Sequence, residues 1–422
     1  MRNLRVELEY LGKFVLVGEI CGESEQDAAF RYASSWLKVP DARPISVSLP
    51  LQEEAFSPET TRNYFEGLLP EGYVRWCIAG QLSAAGQDYL SVLSALGKEC
   101  LGALKITEGE EDEISPSYRL LTDQELEAFA QEGAMKSAEL VIRSHLSLTG
   151  ASGKTGLYLN PADGRWYLPQ GTAASTHIVK QSHIRLKKIV ANEILCLRTA
   201  RRLGIEVPEH FMLAVHPEDE ETALFITKRY DRFFAKEEGT RNGMRLPCRL
   251  HQEDFAQALG IPASRKYETG EKHYLKRAFD LLRKYASDPI RDQQKLWDIC
   301  IFNCLIGNTD NHLKNMSLLY SADLRSIRLA PAYDIVSTVL YEGSTMQMGI
   351  SIGGERDIRK ITRDSFEQEA RSLGIGVRMA MQRFDEMQAD FEKALRESAA
   401  ETENEYPGVR MQDACEKILR IH

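Results

Sequence analysis

The segment from Trp297 to Thr338 constrains this chain more than any other. It opens with Trp297-Asp298-Ile299-Cys300-Ile301-Phe302-Asn303-Cys304-Leu305-Ile306. Polar residues there are too sparse for a solvent face, so the composition predicts a buried helix rather than an amphipathic surface one. Gly307 ends it, and Asn308, Thr309, Asp310, Asn311, His312, Lys314 and Asn315 follow at once. A short apolar strand is expected over Met316–Tyr320, a polar turn over Ser321–Arg325 and a second strand over Ser326–Ala330, with Asp334 just beyond. A hairpin brings its two ends together, so Asn315 and Asp334 are expected to converge, with Asp310 on the loop that feeds that point. A carboxylate in front of a two-ligand oxygen site suits phosphoryl transfer.

The spacing points the same way. Four residues separate Asp310 from Asn315, the D-x4-N interval of the protein-kinase catalytic loop. In that loop the Asp accepts the substrate hydroxyl proton, the Asn binds magnesium, and a later Asp reached across a hairpin binds magnesium too. Magnesium takes hard oxygen ligands and keeps several waters, so one carboxylate and one amide suffice beside phosphate oxygens. The same pattern also describes a polar helix C-cap followed by an ordinary β-hairpin, and spacing alone does not separate the two.

At 422 residues the chain exceeds one hydrophobic core, and two or three domains are expected. No apolar run is long enough to span a membrane, and Met1-Arg2-Asn3-Leu4-Arg5-Val6-Glu7 lacks the apolar core of a signal peptide. The eight cysteines are scattered without C-x2-C pairs, which predicts a reduced, cytoplasmic protein without structural zinc. A net charge of −9 argues against a broad nucleic-acid surface on this chain alone.

Along the chain, residues 4–20 alternate as a β-hairpin turning at Leu11-Gly12-Lys13, and residues 43–51 alternate again. Helices are expected over Thr60–Leu69, Val74–Leu82, Tyr89–Leu96 and Leu121–Ala130, the last capped by Thr122 or Asp123, with a strand over Leu101–Ile106. The acidic stretch Glu108–Glu113, followed by Ser115-Pro116-Ser117, reads as a linker. Strands near Glu139–Ile142 and Gly156–Leu159 flank Ser147-Leu148-Thr149-Gly150-Ala151-Ser152-Gly153-Lys154-Thr155. Gly153-Lys154-Thr155 is not a Walker A motif, because Leu148 stands where the first glycine belongs and a strand follows instead of a helix. A glycine-bearing hairpin can still lay backbone N–H groups along phosphates beside Lys154, and it can equally be a surface turn.

Thr176–Lys180 reads as a strand ending in lysine, Lys187–Leu203 as a helix closed by Gly204, and Glu193 as a solvated residue within it. The order strand-Lys then helix-Glu is that of a kinase N-lobe. Ala223–Thr227 is a strand leading into Lys228-Arg229-Tyr230-Asp231-Arg232, where a hinge is expected, and Glu237–Asn242 is a polar loop. Helices are expected over Gln252–Leu259, Lys272–Lys284, Asp364–Leu373, Val377–Ser398 and Met411–Ile421.

These motifs, taken together, resemble the HipA family of serine/threonine kinases, the toxin partners of bacterial HipB antitoxins. The resemblance rests on Arg43-Pro44-Ile45-Ser46-Val47-Ser48-Leu49-Pro50-Leu51, Asn63-Tyr64-Phe65-Glu66-Gly67-Leu68-Leu69-Pro70-Glu71 and the Ser147–Thr155 loop. It rests further on Thr176–Lys180, Arg229-Tyr230-Asp231-Arg232, Arg249–Asp254, Leu305–Asn315 and Leu329–Ile335. It implies an α+β, protein-kinase-like bilobal fold with an N-terminal α/β subdomain and a mostly helical C-terminal lobe. The parts would be residues 1–110 as N-terminal subdomain, 116–235 as N-lobe and 236–422 as C-lobe.

By the same resemblance Asp310 is the catalytic base, and Asn315 and Asp334 hold Mg2+. Lys180 contacts the ATP phosphates, and Thr149, Gly150, Ala151, Ser152, Gly153 and Lys154 form the phosphate-facing loop. Lys228, Arg229 and Tyr230 form the adenine-side hinge with Asp231 nearby, and His312, Lys314 and Tyr333 join the nucleotide-contacting set. Ser147 matches the loop serine that family members autophosphorylate. At Ser152 and Gly153 the sequence departs from the family's usual Gln and Glu, which leaves the loop its backbone role and adds Thr149 and Ser152 as competing hydroxyls. The expected partners are a helix-turn-helix antitoxin, DNA only through it, and a translation-related protein substrate such as an aminoacyl-tRNA synthetase. An idle co-repressor scaffold and a small-molecule kinase are the readings set against this one, and the intact Asp310, Asn315, Asp334 and Lys180 weigh against the scaffold.

Overall fold

The computed structural model describes residues 2–82, 88–109, 115–132, 134–144, 148, 153–182, 186–216, 222–235, 240–241, 243–270 and 272–421. The architecture is α+β, and the chain gathers into two compact units. One is Met1–Gln181, Ile226–Ala263 and Leu318–Ile327; the other is Ser182–Phe225, Ser264–Ser317 and Arg328–His422.

In the first unit, strands Arg2–Tyr10 and Lys13–Gly22 form the expected hairpin, with Leu4, Val6 and Leu8 fully buried. Leu11 and Gly12 both take positive φ, the turn conformation that matches the twist of paired strands. Ala29–Tyr32 and Leu104–Glu108 extend this sheet on either side. Residues 43–51 form no strand; only an isolated bridge joins Ser46 and Leu49. Side chains from elsewhere take the backbone groups that a neighbouring strand would have used. Tyr32 Oη accepts from the Ile45 amide (3.0 Å) and donates to the Leu49 carbonyl (2.6 Å), while Tyr64 and His251 both donate to the Ile45 carbonyl.

A second sheet includes, as successive neighbours, Ser117–Leu120, Trp166–Gln170, Lys154–Leu159 and His177–Gln181. The strand expected near Glu139–Ile142 is instead part of the helix Ala134–Ser144. Ser137, Ala138, Leu140, Val141 and Ser144 are its buried residues, a helical spacing that a four-residue window does not reveal. The segment Gln252–Leu259 also divides, into strand Gln252–Asp254 and helix Phe255–Ala258. Asp254 and Gln257 form a reciprocal capping box there, and that cap fixes the helix start at Phe255. Within the expected polar loop 237–242, Thr240–Arg241 pair with Met244–Arg245.

The second unit is mostly helical. The buried helix predicted from Trp297 is longer, Pro289–Ile306, because Asp288 caps it and Pro289 opens it. Trp297 Nε1 donates to the Ala380 carbonyl (3.0 Å) of helix Val377–Glu405, which also runs beyond its expected end. Helix Ile189–Arg202 packs on that same helix, where Arg198 bonds Thr402 and Glu405. Its Glu193 is buried rather than solvated.

Candidate active site

The loop after helix Pro289–Ile306 is held at nearly every residue. Gly307 has φ +78°, and a Cβ there would stand 2.4 Å from Val339 Cγ2, so both backbone and packing require glycine. Buried Asn308 donates to Asn303 Oδ1 (2.8 Å) and accepts from the Asp310 amide (3.1 Å). The Thr309 amide donates to Thr338 Oγ1 (2.8 Å), its hydroxyl to the Thr345 carbonyl (3.0 Å), and its carbonyl accepts from Gly349 (2.9 Å). Asp310 follows directly and is exposed. A rigid backbone thus presents one carboxylate to solvent.

Asn315 ends the turn Leu313–Asn315, and its Nδ2 donates to the Asp310 carbonyl (2.9 Å). That bond leaves Oδ1 as the atom its amide can offer a cation. Beyond it, strands Ser317–Tyr320 and Ile327–Leu329 close as expected, with Ala330 donating to the Ser317 carbonyl (2.9 Å). Tyr333 Oη donates to the Lys314 carbonyl (3.0 Å) and accepts from Ser317 Oγ (2.6 Å). These bonds tie the segment carrying Asp334 to the segment carrying Asn315. Asp334 has φ +56°, a conformation that costs a non-glycine residue about 1–2 kcal/mol. Tyr333 anchors it on one side. On the other, the Ser337 amide and carbonyl both bond the Asn192 side chain at 3.0 Å.

In the first unit, Lys154 and Lys180 stand directly opposite each other in the antiparallel ladder. Directly opposed residues share one face of a sheet, and both lysines are buried. Two lysines on one face are the residue type that draws an anion. Gly153 lies against Gln181, whose Nε2 would be 2.3 Å from an added Cβ. Ser147, Thr149, Gly150, Ala151 and Ser152 lie outside the described residues.

The expected hinge has a second job. Arg229, Asp231 and Arg232 are buried together with Glu99: Arg229 reaches Asp231 at 2.8 Å and Glu99 at 3.3 Å, and Arg232 reaches Glu99 at 3.2 Å. Asp231 also accepts from the Gly102 amide (2.9 Å) and from Gln252 (3.1 Å). Burial alone raises the Asp231 pKa, but the two guanidiniums outweigh it and hold the carboxyl well below its usual range. The Arg229 and Asp231 side chains are therefore committed inside the fold, and Tyr230 Oη bonds Gln252. Lys228, by contrast, is exposed.

The segment that carries Asp310, Asn315 and Asp334 offers the carboxylate and amide oxygens that phosphoryl transfer uses. A model of the HipA-like C-terminal domain matches residues 146–395, and one of the HipA N-terminal domain matches residues 10–107. The chain belongs to the HipA family of serine/threonine kinases. The Y4mE protein of Sinorhizobium fredii is 31% identical over 93% of this chain and 91% of its own length. The serine/threonine-protein kinase toxin HipA of Shewanella oneidensis is 27% identical over 85% of this chain and 81% of its own. The fold matches HipA in the Shewanella oneidensis complex of HipA, HipB and operator DNA, with a TM-score of 0.79, 21% identity, and coverage of 99% of this chain and 96% of that one.

One residue beside Asp310 was missed by sequence reasoning. Tyr267 Oη donates to Asp310 Oδ1 at 2.5 Å. Nothing in Arg265-Lys266-Tyr267-Glu268 signals this, because the contact joins residues 43 positions apart.

Proposed function

We propose that this chain is an ATP- and magnesium-dependent protein serine/threonine kinase of the toxin type, restrained by a HipB-like helix-turn-helix antitoxin. The observation that carries this reading is the Tyr333–Lys314 hydrogen bond, which links the chain just before Asp334 to the chain just before Asn315. An amide oxygen and a carboxylate are the hard donors magnesium takes, with nucleotide oxygens and water completing its shell. Asp310 serves as general base for the acceptor hydroxyl. Lys154 and Lys180, with the backbone of 149–154 and His312, Lys314 and Tyr333 as further contacts, serve the nucleotide. At 228–231 we assign the adenine contact to backbone and to Lys228 or Tyr230. Phosphoryl transfer asks for positioning and charge neutralisation more than covalent help, which suits this set.

The protein target is a translation-related protein of the aminoacyl-tRNA synthetase kind, in the cytoplasm, and Ser147 is the site of self-phosphorylation. A phosphate at Ser147 adds roughly −1.5 to −2 charges beside the phosphate-facing loop and opposes ATP binding. The net charge of −9 supports a DNA contact made through the antitoxin.

The test is radiolabelled phosphoryl transfer from ATP by the full chain, to itself and to casein as a generic acceptor. Asp310→Asn is expected to raise the barrier by about 4–6 kcal/mol. Retention of activity within about tenfold removes Asp310 from the mechanism.

A further inference from the structure

We propose that Tyr267 is the positioning residue for the Asp310 carboxylate: its phenol fixes Oδ1, so that Oδ2 receives the proton of the acceptor hydroxyl. This rests on the kinase reading above.

The hydrogen bond is short and charge-assisted, 2.5 Å from Tyr267 Oη to Asp310 Oδ1. Asp310 is exposed, and without a fixed partner an exposed carboxylate samples several rotamers. A general base has to be aimed, because misplacement by about 1 Å costs roughly a hundredfold in rate. The loop that carries Tyr267 is built to aim it. The Lys266 carbonyl accepts from the Leu313 amide (3.3 Å), within the turn that leads to Asn315. The Glu268 amide donates to the Gly349 carbonyl (2.8 Å), and Gly349 in turn donates to Thr309, next to Asp310. Glu268 is buried, and its carboxylate takes the Ser351 amide (2.6 Å) and the Tyr274 amide (2.9 Å). Tyr274 Oη closes the loop on the Arg265 carbonyl (2.8 Å). The ring of Tyr267 meets His312 edge-on, with centroids 4.9 Å apart and an interplanar angle of 82°.

The same hydrogen bond admits an opposite reading, in which the phenol sits where an acceptor hydroxyl belongs and blocks the base. The anchoring favours the positioning role. A plug has to leave for each turnover, whereas residues 266–268 are fastened by main-chain bonds to Leu313 and to Gly349, which itself bonds Thr309. The two readings predict changes of opposite sign.

Tyr267→Phe keeps the ring on His312 and removes only the hydroxyl. Phosphoryl transfer by the full-length variant is measured to casein and to the chain itself, with kcat and the KM values for ATP and casein taken separately. The expected result is a fall in kcat of about 10–100-fold, the worth of one charge-assisted hydrogen bond, with both KM values within about threefold and the melting temperature unchanged. A merely structural tyrosine would instead lower the melting temperature with little change in kcat, and that result overturns the proposal. An unchanged or raised kcat, or a phosphate that wild type places on Tyr267, overturns it as well. Asp310→Asn in the same series separates the failures. If it is inactive while Tyr267→Phe is normal, only the tyrosine's role falls; if it stays active, or wild type transfers nothing, the kinase reading falls too.

Discussion

Two polar motifs of this chain, Arg229-Tyr230-Asp231-Arg232 and Asn308–Asn315, look equally suited to chemistry in sequence and are built on opposite principles. Asp231 is buried, and Arg229, Arg232, Gly102 and Gln252 consume its charge. Asp310 is exposed, with one carboxylate oxygen held by Tyr267 and the backbone before it held through Asn308 and Thr309. A charge neutralised inside the fold holds structure together. A charge held at the surface on a rigid backbone can be reached from solvent. Density of polar residues does not separate the two cases; the hydrogen-bond inventory does.

The comparison can be broken most directly at Asp231. Asp231→Ala leaves Arg229 and Arg232 buried with Glu99 as their shared carboxylate, and is expected to destabilise the protein by about 3–5 kcal/mol in urea unfolding. Asp310→Asn is expected to change stability by about 0.5 kcal/mol or less while removing activity. Equal stabilities for the two variants would erase the distinction.

Glu253 sharpens the comparison, because it is buried with no cationic partner among the described residues. Burial pushes its carboxyl up to about 7, against the donors Ser46, Tyr320 and the Val47 amide. The folded state therefore keeps a proton that the unfolded chain releases near 4.5. The resulting stabilisation is complete below that value and is lost as pH rises towards 7, on the order of 3 kcal/mol in all. In Glu253→Gln this slope disappears, so the stability advantage of wild type over the variant should shrink between those pH values. An advantage that grows with pH would show that the donors, not burial, govern this group.

The smallest effect is expected at the paired lysines. Lys154→Ala removes one of two lysines that face each other across two strands and should change the stability of the ligand-free protein by about 1 kcal/mol or less. ATP affinity, read by calorimetry, should fall about tenfold. Unaltered affinity would take Lys154 out of the phosphate contact.

Local periodicity and turn chemistry made several elements legible in sequence: the hairpin of residues 2–22, the buried helix ending at Gly307, the cap at Thr122 and the hairpin between Asn315 and Asp334. Each is decided by residues within a few positions of one another. Alternation in 43–51 reported burial only in part, since Ile45 and Leu49 are fully buried but so is Ser46 while Leu51 is exposed, and it could not report pairing. Four residues near Glu139 could not distinguish a period of two from one of 3.6. The ranks of Arg229 and Asp231 as structural, the opposition of Lys154 to Lys180, and the partners of Glu253 and Asp310 were decided only in the tertiary structure. Ser46 lies 207 positions from Glu253, and Tyr267 lies 43 from Asp310. Contacts across such separations leave no local pattern, because each side chain's spacing serves its own element. Sequence marked out the polar loops; the fold determined which of their charges are buried in ion pairs and which face solvent.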